Sequence, residues 1–174
     1  LNSSKKYNFA MKYYNSDGRE GTMCGNGGRA LVTFAAHKGI KKYQFEAMDG
    51  VHNASVISYS PSTCVIKLEM IDVNEVNDYS PKSYFLNTGS NHLVIFVENV
   101  NDYDVLGQGK LWRSHPSFPD GTNVDFVQGG WGRFNLPKFE EDKPQVLSVR
   151  TYERGVEDET FSCGTGVVAS SIAH

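Results

Sequence analysis

Two stretches of the chain place a cysteine directly before small, glycine-rich text. In "TMCGNGGRA", Cys24 is followed by Gly25, Asn26, Gly27 and Gly28; in "FSCGTGVVASS", Cys163 is followed by Gly164, Thr165 and Gly166. In both, the residues that come next have helical spacing: Ala30, Leu31, Phe34 and Ala35 in the first, "VVASSIA" in the second. A thiol at a helix start lies beside free backbone N–H groups and the positive end of the macrodipole. That placement is expected to lower its pKa from about 8.5 toward neutral. The same amides bind anions, a carboxylate being the obvious one, and glycine allows close approach. Two such thiols on opposite sides of a carbon next to a carboxylate could exchange its proton, one thiolate removing it and the opposite thiol returning another. This is stereoinversion by general acid-base chemistry, with no metal and no organic cofactor.

Other polar residues have two readings each. His92 opens the apolar run "HLVIF" just after a glycine, where its ring could face a site or cap a strand. Glu153 and Arg154 in "RTYERG" are either a solvated turn or an ammonium acceptor and a carboxylate clamp. Asn15 in "YYNSDG" and Asn123 in "DGTNVDF" are turn residues or ligand contacts. Cys64, inside the strand-like "STCVIKLEM", reads as a small hydrophobe. His37, His52, His115 and His174 lack metal-ligand spacing. The thiols could also form a Cys24–Cys163 disulfide in a non-enzymatic redox or binding module.

These residues need elements to hold them. "YNFAMKYYN" reads as a strand and "SDGREG" as a turn leading to the first cysteine. "YQFEAM", "HNASVISYS" and "CVIKLEM" read as an antiparallel meander. The polar span "IDVNEVNDYSPKS" breaks the periodicity and sets an expected domain boundary near residue 80, giving domains 1–80 and 81–174. In the second, "HLVIFVENV", "TNVDFVQGG" and "VLSVRTYERG" are strands, the last with Val149 and Thr151 on one face and Arg150 and Tyr152 on the other. The turn "GVEDET" then feeds the second cysteine. Each half thus holds strands, a cysteine-bearing glycine loop and a helix, a weak internal repeat that invites a site between the halves.

The 174 residues are 39% hydrophobic and 21% charged, which fits a folded globular protein. A formal net charge of -3, evenly spread, gives no reason to expect nucleic acid or a membrane surface as partner. No apolar run approaches the roughly 20 residues of a membrane span, and no signal-peptide pattern opens the chain, so it reads as cytoplasmic. Three cysteines without CxxC spacing suggest free thiols rather than a disulfide framework or a zinc site. The first residue is Leu1, and the last, His174, falls early in a helical pattern, so the chain reads as a fragment.

"YYNSDGREGTMCGNGGRA", "FLNTGSNHLVIFV", "DGTNVDFV" and "VRTYERGVEDETFSCGTGVVAS", in this order, resemble the diaminopimelate epimerase family from about Lys12 to His174. Proline racemase relatives share the two cysteines but not the intervening stretches. The resemblance implies a mixed α/β (α+β) fold of two similar domains, each a curved mixed sheet wrapped around a central helix, with the active site in the cleft between them. It implies interconversion of LL- and meso-diaminopimelate without pyridoxal phosphate, for lysine and peptidoglycan precursors. Cys24 and Cys163 match the two catalytic bases, and His92 and Glu153 match polar neighbours that assist them. Gly25, Asn26, Gly164 and Thr165 match positions that bind the carboxylate at the reacting carbon, and Asn15, Asn123, Glu153 and Arg154 match further substrate contacts. The expected partner is the amino-acid substrate, with homodimer formation left open. A racemase of another amino acid, such as proline or hydroxyproline, is the rival enzyme reading, and Arg154, as a distal carboxylate clamp, favours the long dicarboxylic substrate. Where many relatives carry Asn-Pro-His this chain has Ser90-Asn91-His92, which puts Ser90 at the place of a ligand-binding asparagine. A family segment with a Gly-Asn-Asp-Phe-like motif and first-domain strands is expected ahead of Leu1, and returning strands beyond His174.

Overall fold

The computed structural model describes residues 1–15, 18–129 and 146–174. Ser16 and Asp17 of the expected "SDGREG" turn, and the final glycine of "TNVDFVQGG", lie outside the described residues. The chain forms two compact units, Leu1–Asp72 and Val73–His174.

In the first unit, β1 (Phe9–Ala10), β4 (Tyr43–Ala47), β5 (Gly50–Tyr59) and β6 (Cys64–Leu68) make a four-stranded sheet in the order β1-β4-β5-β6. β1 runs parallel to β4, and β4, β5 and β6 form the antiparallel meander read from the sequence. Helix α1 (Gly25–His37) lays Val32 and Ala35 on this sheet, completing a core with Phe9, Met11, Met23 and Phe45. Phe9 and Phe45 stack at 5.2 Å across the parallel pair. A Cβ at Gly28 would lie 3.0 Å from Leu68 Cδ2 and 3.2 Å from Met23 Cε, so glycine lets the helix start settle close to the sheet.

"YNFAMKYYN" is not one strand. Its pairing along β4 ends at Met11, whose N–H donates to the Glu46 carbonyl (2.8 Å) one residue before β4 ends. The chain then turns away, and β2 (Tyr13–Tyr14) pairs antiparallel with β3 (Glu20–Gly21).

The second unit is a six-stranded sheet in the order β12-β11-β10-β9-β8-β7. Its strands are β7 (Val76–Ser80), β8 (Ser83–Asn87), β9 (Asn91–Phe96), β10 (Asn123–Gln128), β11 (Ser148–Glu153) and β12 (Asp158–Thr160). β9 and β10 are parallel and every other neighbouring pair is antiparallel. The units divide at Asp72/Val73 rather than near residue 80, because Val76–Ser80 pairs with Ser83–Asn87 around a turn at Pro81. Its exposed Asn77 and Asp78 mask the strand in the sequence, while Val76 and Tyr79 pack inward.

Alternation along the strands sends Tyr84, Leu86, Val94, Phe96 and Val127 to one face, where Ala169 and Ala173 of α3 (Gly164–Ala173) cover them. Leu93, Val124, Phe126 and Tyr152 go to the other face with Val105. That face carries α2 (Val105–Arg113), a helix the sequence reading did not anticipate because Gly107 and Gly109 weaken its pattern. Asp104 caps it, accepting the Gly107 N–H at 2.9 Å, and Trp112 anchors it against the core.

Candidate active site

Both cysteines occupy the residue just before a helix. Cys24 has φ -133° and ψ 110° ahead of α1, and Cys163 has φ -121° and ψ 104° ahead of α3, so the two positions share one extended backbone geometry. Ser, Thr, Asp or Asn would cap a helix better here, since an oxygen accepts an amide hydrogen more strongly than sulfur does. The cysteines are therefore not explained by helix stability.

In the first unit, Cys24 is half-buried and its Sγ accepts the Gly27 N–H at 3.3 Å. Gly25 is buried at the first helical position, and Asn26 is exposed beside it, its Oδ1 accepting a hydrogen bond from the Arg29 guanidinium. Asn15 follows β2; its N–H donates to the Arg19 carbonyl and its own carbonyl accepts the Gly18 N–H, both at 2.9 Å, fixing the approach to β3.

In the second unit the sheet face beneath α3 changes character along its length. Under the helix body it is apolar; under the helix start it carries His92, Asn123, Asp125 and Thr151, all buried. Register explains the grouping: Asn123 stands opposite His92 on β9, and Asp125 opposite Thr151 on β11. His92 Nδ1 lies 2.6 Å from Asp125 Oδ2, and its Nε2 lies 2.9 Å from Thr165 Oγ1. Thr165 Oγ1 is in turn 3.4 Å from Cys163 Sγ. Thr151 donates its hydroxyl to the other oxygen of Asp125 at 2.6 Å. Thr88 donates to the Thr165 carbonyl (3.0 Å), tying the start of α3 to the β8–β9 turn.

Asn123 binds within the protein on both sides of its amide. Nδ2 donates to Ser90 Oγ (2.6 Å) and the Asn91 carbonyl (2.9 Å), while Oδ1 accepts the Arg154 N–H (2.9 Å). Arg154 also donates from its guanidinium to the Asp120 carbonyl at 2.8 Å. Glu153 ends β11, and its carbonyl accepts the N–H groups of Val156 (3.2 Å) and Glu157 (2.8 Å), closing a turn through Gly155 at φ 90°. Glu153 and Arg154 are both half-buried, and Gly164 opens α3 half-buried as well.

The expected depression of the thiol pKa does not hold at Cys163. Burial first, and then the negative charge of Asp125, push this thiol up from an ordinary 9.0 to about 12. The Thr165 hydroxyl acts in the opposite direction, and Glu153 adds to the rise. Loss of water around a residue that is only 8% exposed outweighs the favourable end of a ten-residue helix. Cys163 holds its proton at neutral pH.

Two participants, Asp125 and Thr151, were not singled out from sequence. Asp125 had a signal: an acid at the centre of "NVDFV" is a poor strand residue, and it shares a face with Asn123 two positions before it. Thr151 had none, since its role depends on which strand lies beside β10.

Residues 84–174 match the family model for diaminopimelate epimerase. The chain is 43% identical over 176 residues to a diaminopimelate epimerase of Flavobacterium psychrophilum, covering 99% of this chain and 62% of that protein. It is 40% identical over 181 residues to the diaminopimelate epimerase of Chlorobaculum tepidum, covering 99% and 64%. The chain thus spans about three fifths of the length of the curated relatives it matches. Among solved structures, it resembles a Bacillus anthracis phenazine biosynthesis protein of the PhzF family (TM-score 0.64, 14% identity, 95% of this chain and 60% of that one). It also resembles a probable proline racemase from Agrobacterium radiobacter K84 (TM-score 0.58, 14% identity, 87% and 51%). At such identity these likenesses speak to the fold, which is mixed α+β in all three. With its model match spanning a little over half of the sequence, the chain belongs to the diaminopimelate epimerase family.

Proposed function

We propose that the protein inverts one α-carbon of diaminopimelate, converting the LL to the meso isomer without pyridoxal phosphate, in the supply of lysine and peptidoglycan precursors. The observation that carries this reading is the matched pair of cysteines, each in the same backbone conformation at the head of a helix. One thiolate takes the α-proton, leaving the electron pair delocalised into the carboxylate, and the opposite thiol gives its proton to the other face. The C–H and S–H bonds broken are replaced by one S–H and one C–H bond, so the enzyme ends with its two protonation states exchanged. Cys163, which holds its proton, is the donor thiol in one direction and Cys24 the base.

The N–H groups at the starts of α1 and α3, around Gly25 and Asn26 and around Gly164 and Thr165, are suited to the carboxylate and to the charge that develops on it. Arg154 is assigned the distal carboxylate and Glu153 the ammonium group, with Asn15 and Asn123 as further contacts. His92 assists Cys163. Incubation with LL-diaminopimelate in deuterium oxide under reducing conditions tests the reading: the meso product should carry one deuterium at the inverted carbon, and L-proline should be left unchanged. Cys24→Ala and Cys163→Ala should each abolish inversion; near-normal turnover by either variant rules out the two-base account.

A further inference from the structure

The second unit contains a buried chain of polar groups that runs from Cys163 Sγ through Thr165 Oγ1 and the His92 ring to Asp125, with steps of 3.4, 2.9 and 2.6 Å. Asp125 and His92 are fully buried, and Thr165 is 4% exposed. Asp125 fixes the direction of these hydrogen bonds. Its negatively charged carboxylate has no hydrogen to give, and its Oδ1 accepts the Thr151 hydroxyl at 2.6 Å. His92 Nδ1, 2.6 Å from Asp125 Oδ2, therefore carries a ring hydrogen and donates it there. With its hydrogen on Nδ1, the imidazole has a lone pair at Nε2. Nε2 accepts the Thr165 hydroxyl hydrogen, and the freed lone pairs of Thr165 Oγ1 face the Cys163 thiol.

We propose that Asp125 is a positioning residue that holds His92 in the tautomer needed to receive the Cys163 proton, and that the Thr165 hydroxyl carries that proton between them. In the step, the S–H bond of Cys163 and the O–H bond of Thr165 break while a new O–H bond on Thr165 and an N–H bond on His92 Nε2 form. The products are a thiolate and an imidazolium, the latter paired with Asp125, and the net charge of the group is unchanged. The reverse step restores the thiol. Among the described residues, Asp125 on β10 and Glu153 on β11 are the charged groups that act on Cys163, and His92 on β9 is reached from it through Thr165. Such a route matters because solvent has little access to this sulfur, and direct loss of its proton beside two carboxylates is costly. Gly166 leaves room for this carboxylate at the start of α3: a Cβ there would collide with Asp125 Oδ1 and lie 3.2 Å from Thr151 Oγ1.

This inference rests on reading Cys163 as an acid-base thiol, and its test does not require turnover. Initial rates of iodoacetamide alkylation of Cys163 and Cys24 in the same protein, read by peptide mass at about pH 7.5, give a ratio in which Cys24 is the internal reference. Asp125→Asn should lower the Cys163/Cys24 ratio about tenfold or more, because an asparagine amide can donate to Nδ1 and turn the ring to the wrong tautomer. A carboxylate acting only as a neighbouring charge would do the opposite: its removal would make the thiol easier to ionise and the ratio would rise. A ratio that rises or stays the same overturns the proposal. Thr165→Val should lower the ratio similarly while Thr165→Ser keeps it within about threefold, so this pair decides the matter even if Asp125→Asn does not fold. Equal ratios for Val and Ser also overturn it. Absence of diaminopimelate inversion by the unmodified protein would instead remove the epimerase reading, whichever way the alkylation ratios fall.

Discussion

Gly166 sits directly against the Asp125 carboxylate, so that a Cβ built on the glycine would lie 3.1 Å from Asp125 Cγ and closer still to its Oδ1. Both residues are fully enclosed, Asp125 at the centre of the sheet and Gly166 in the first turn of α3. Neither can yield easily, because Asp125 is held by His92 on one side and Thr151 on the other. Alanine has the higher helix propensity, yet Gly166→Ala should destabilise the protein by about 1–3 kcal/mol through overpacking. Urea unfolding of the pair checks this; a gain in stability would mean that the contact is slack.

The raised pKa of Cys163 makes a statement about alkaline stability. The folded state holds this proton up to about 12, against an ordinary 9.0, so between those values the native chain binds more protons than the unfolded one. Stability from this group is fully present below pH 9 and is lost as pH rises toward 12, with a slope of at most about 1.4 kcal/mol per unit. Unfolding of the parent and of Cys163→Ala at pH 8 and about pH 10 should show the parent losing more. Parallel losses would show that the sulfur ionises freely in the folded protein.

How far the sequence reached depended on whether a feature was local. The two cysteine–glycine starts were legible because a helix onset is specified within a few residues, and the meander over residues 43–68 because alternation and turn residues agree. The strand 76–80 was not legible, because an edge strand bears exposed Asn and Asp, and α2 was not, because its stability comes from Asp104 and from packing on a face formed by distant strands. The ionisation of Cys163 was misjudged for a related reason: the helix end is visible in sequence, but the burial and the carboxylate that oppose it come from β10 and the fold around it. Asp125 and Thr151 become partners only through the antiparallel register of β10 and β11.

Arg150 joins β11 to the approach to α2. Its Nε and Nη2 donate to Glu159 Oε1 (2.6 Å) and Oε2 (2.7 Å), and Nη1 donates to the carbonyls of Val100 (2.8 Å), Asn101 (3.2 Å) and Tyr103 (3.2 Å). Lysine cannot reproduce this fork, so Arg150→Lys should cost about 1–2 kcal/mol and Glu159→Gln less than about 1 kcal/mol. Arg150 hydrogen bonding holds the Glu159 carboxyl below its usual range. Its contribution is therefore present above an ordinary carboxylate pKa near 4.5 and is lost as pH falls below it. A cycle of single and double variants, unfolded at neutral and acid pH, should show a coupling that fades in acid.

Asn123 offers the sharpest test of the hydrogen-bond directions in the second unit. Asn123→Ala leaves Ser90, the Asn91 carbonyl and the Arg154 N–H without their partner in a buried place, and should cost about 2–4 kcal/mol. Asn123→Asp keeps the shape, and one carboxylate oxygen can still accept the Arg154 N–H. The other oxygen, however, would face the Asn91 carbonyl, acceptor against acceptor, with the Asp125 carboxylate two residues away on the same face of β10. Ionisation of the new acid is therefore opposed in the folded state and its pKa is raised there. The sign follows: the variant is least impaired when the acid is protonated, below an ordinary Asp pKa of about 3.9, and loses stability as pH climbs through the higher folded value. Relative to the parent, Asn123→Asp should be close to neutral in acid and weakened by about 2 kcal/mol or more at neutral pH, as read by denaturant unfolding at both. A penalty independent of pH would mean that the folded state does not oppose ionisation of the new acid, against the acceptor-to-acceptor contact expected at the Asn91 carbonyl.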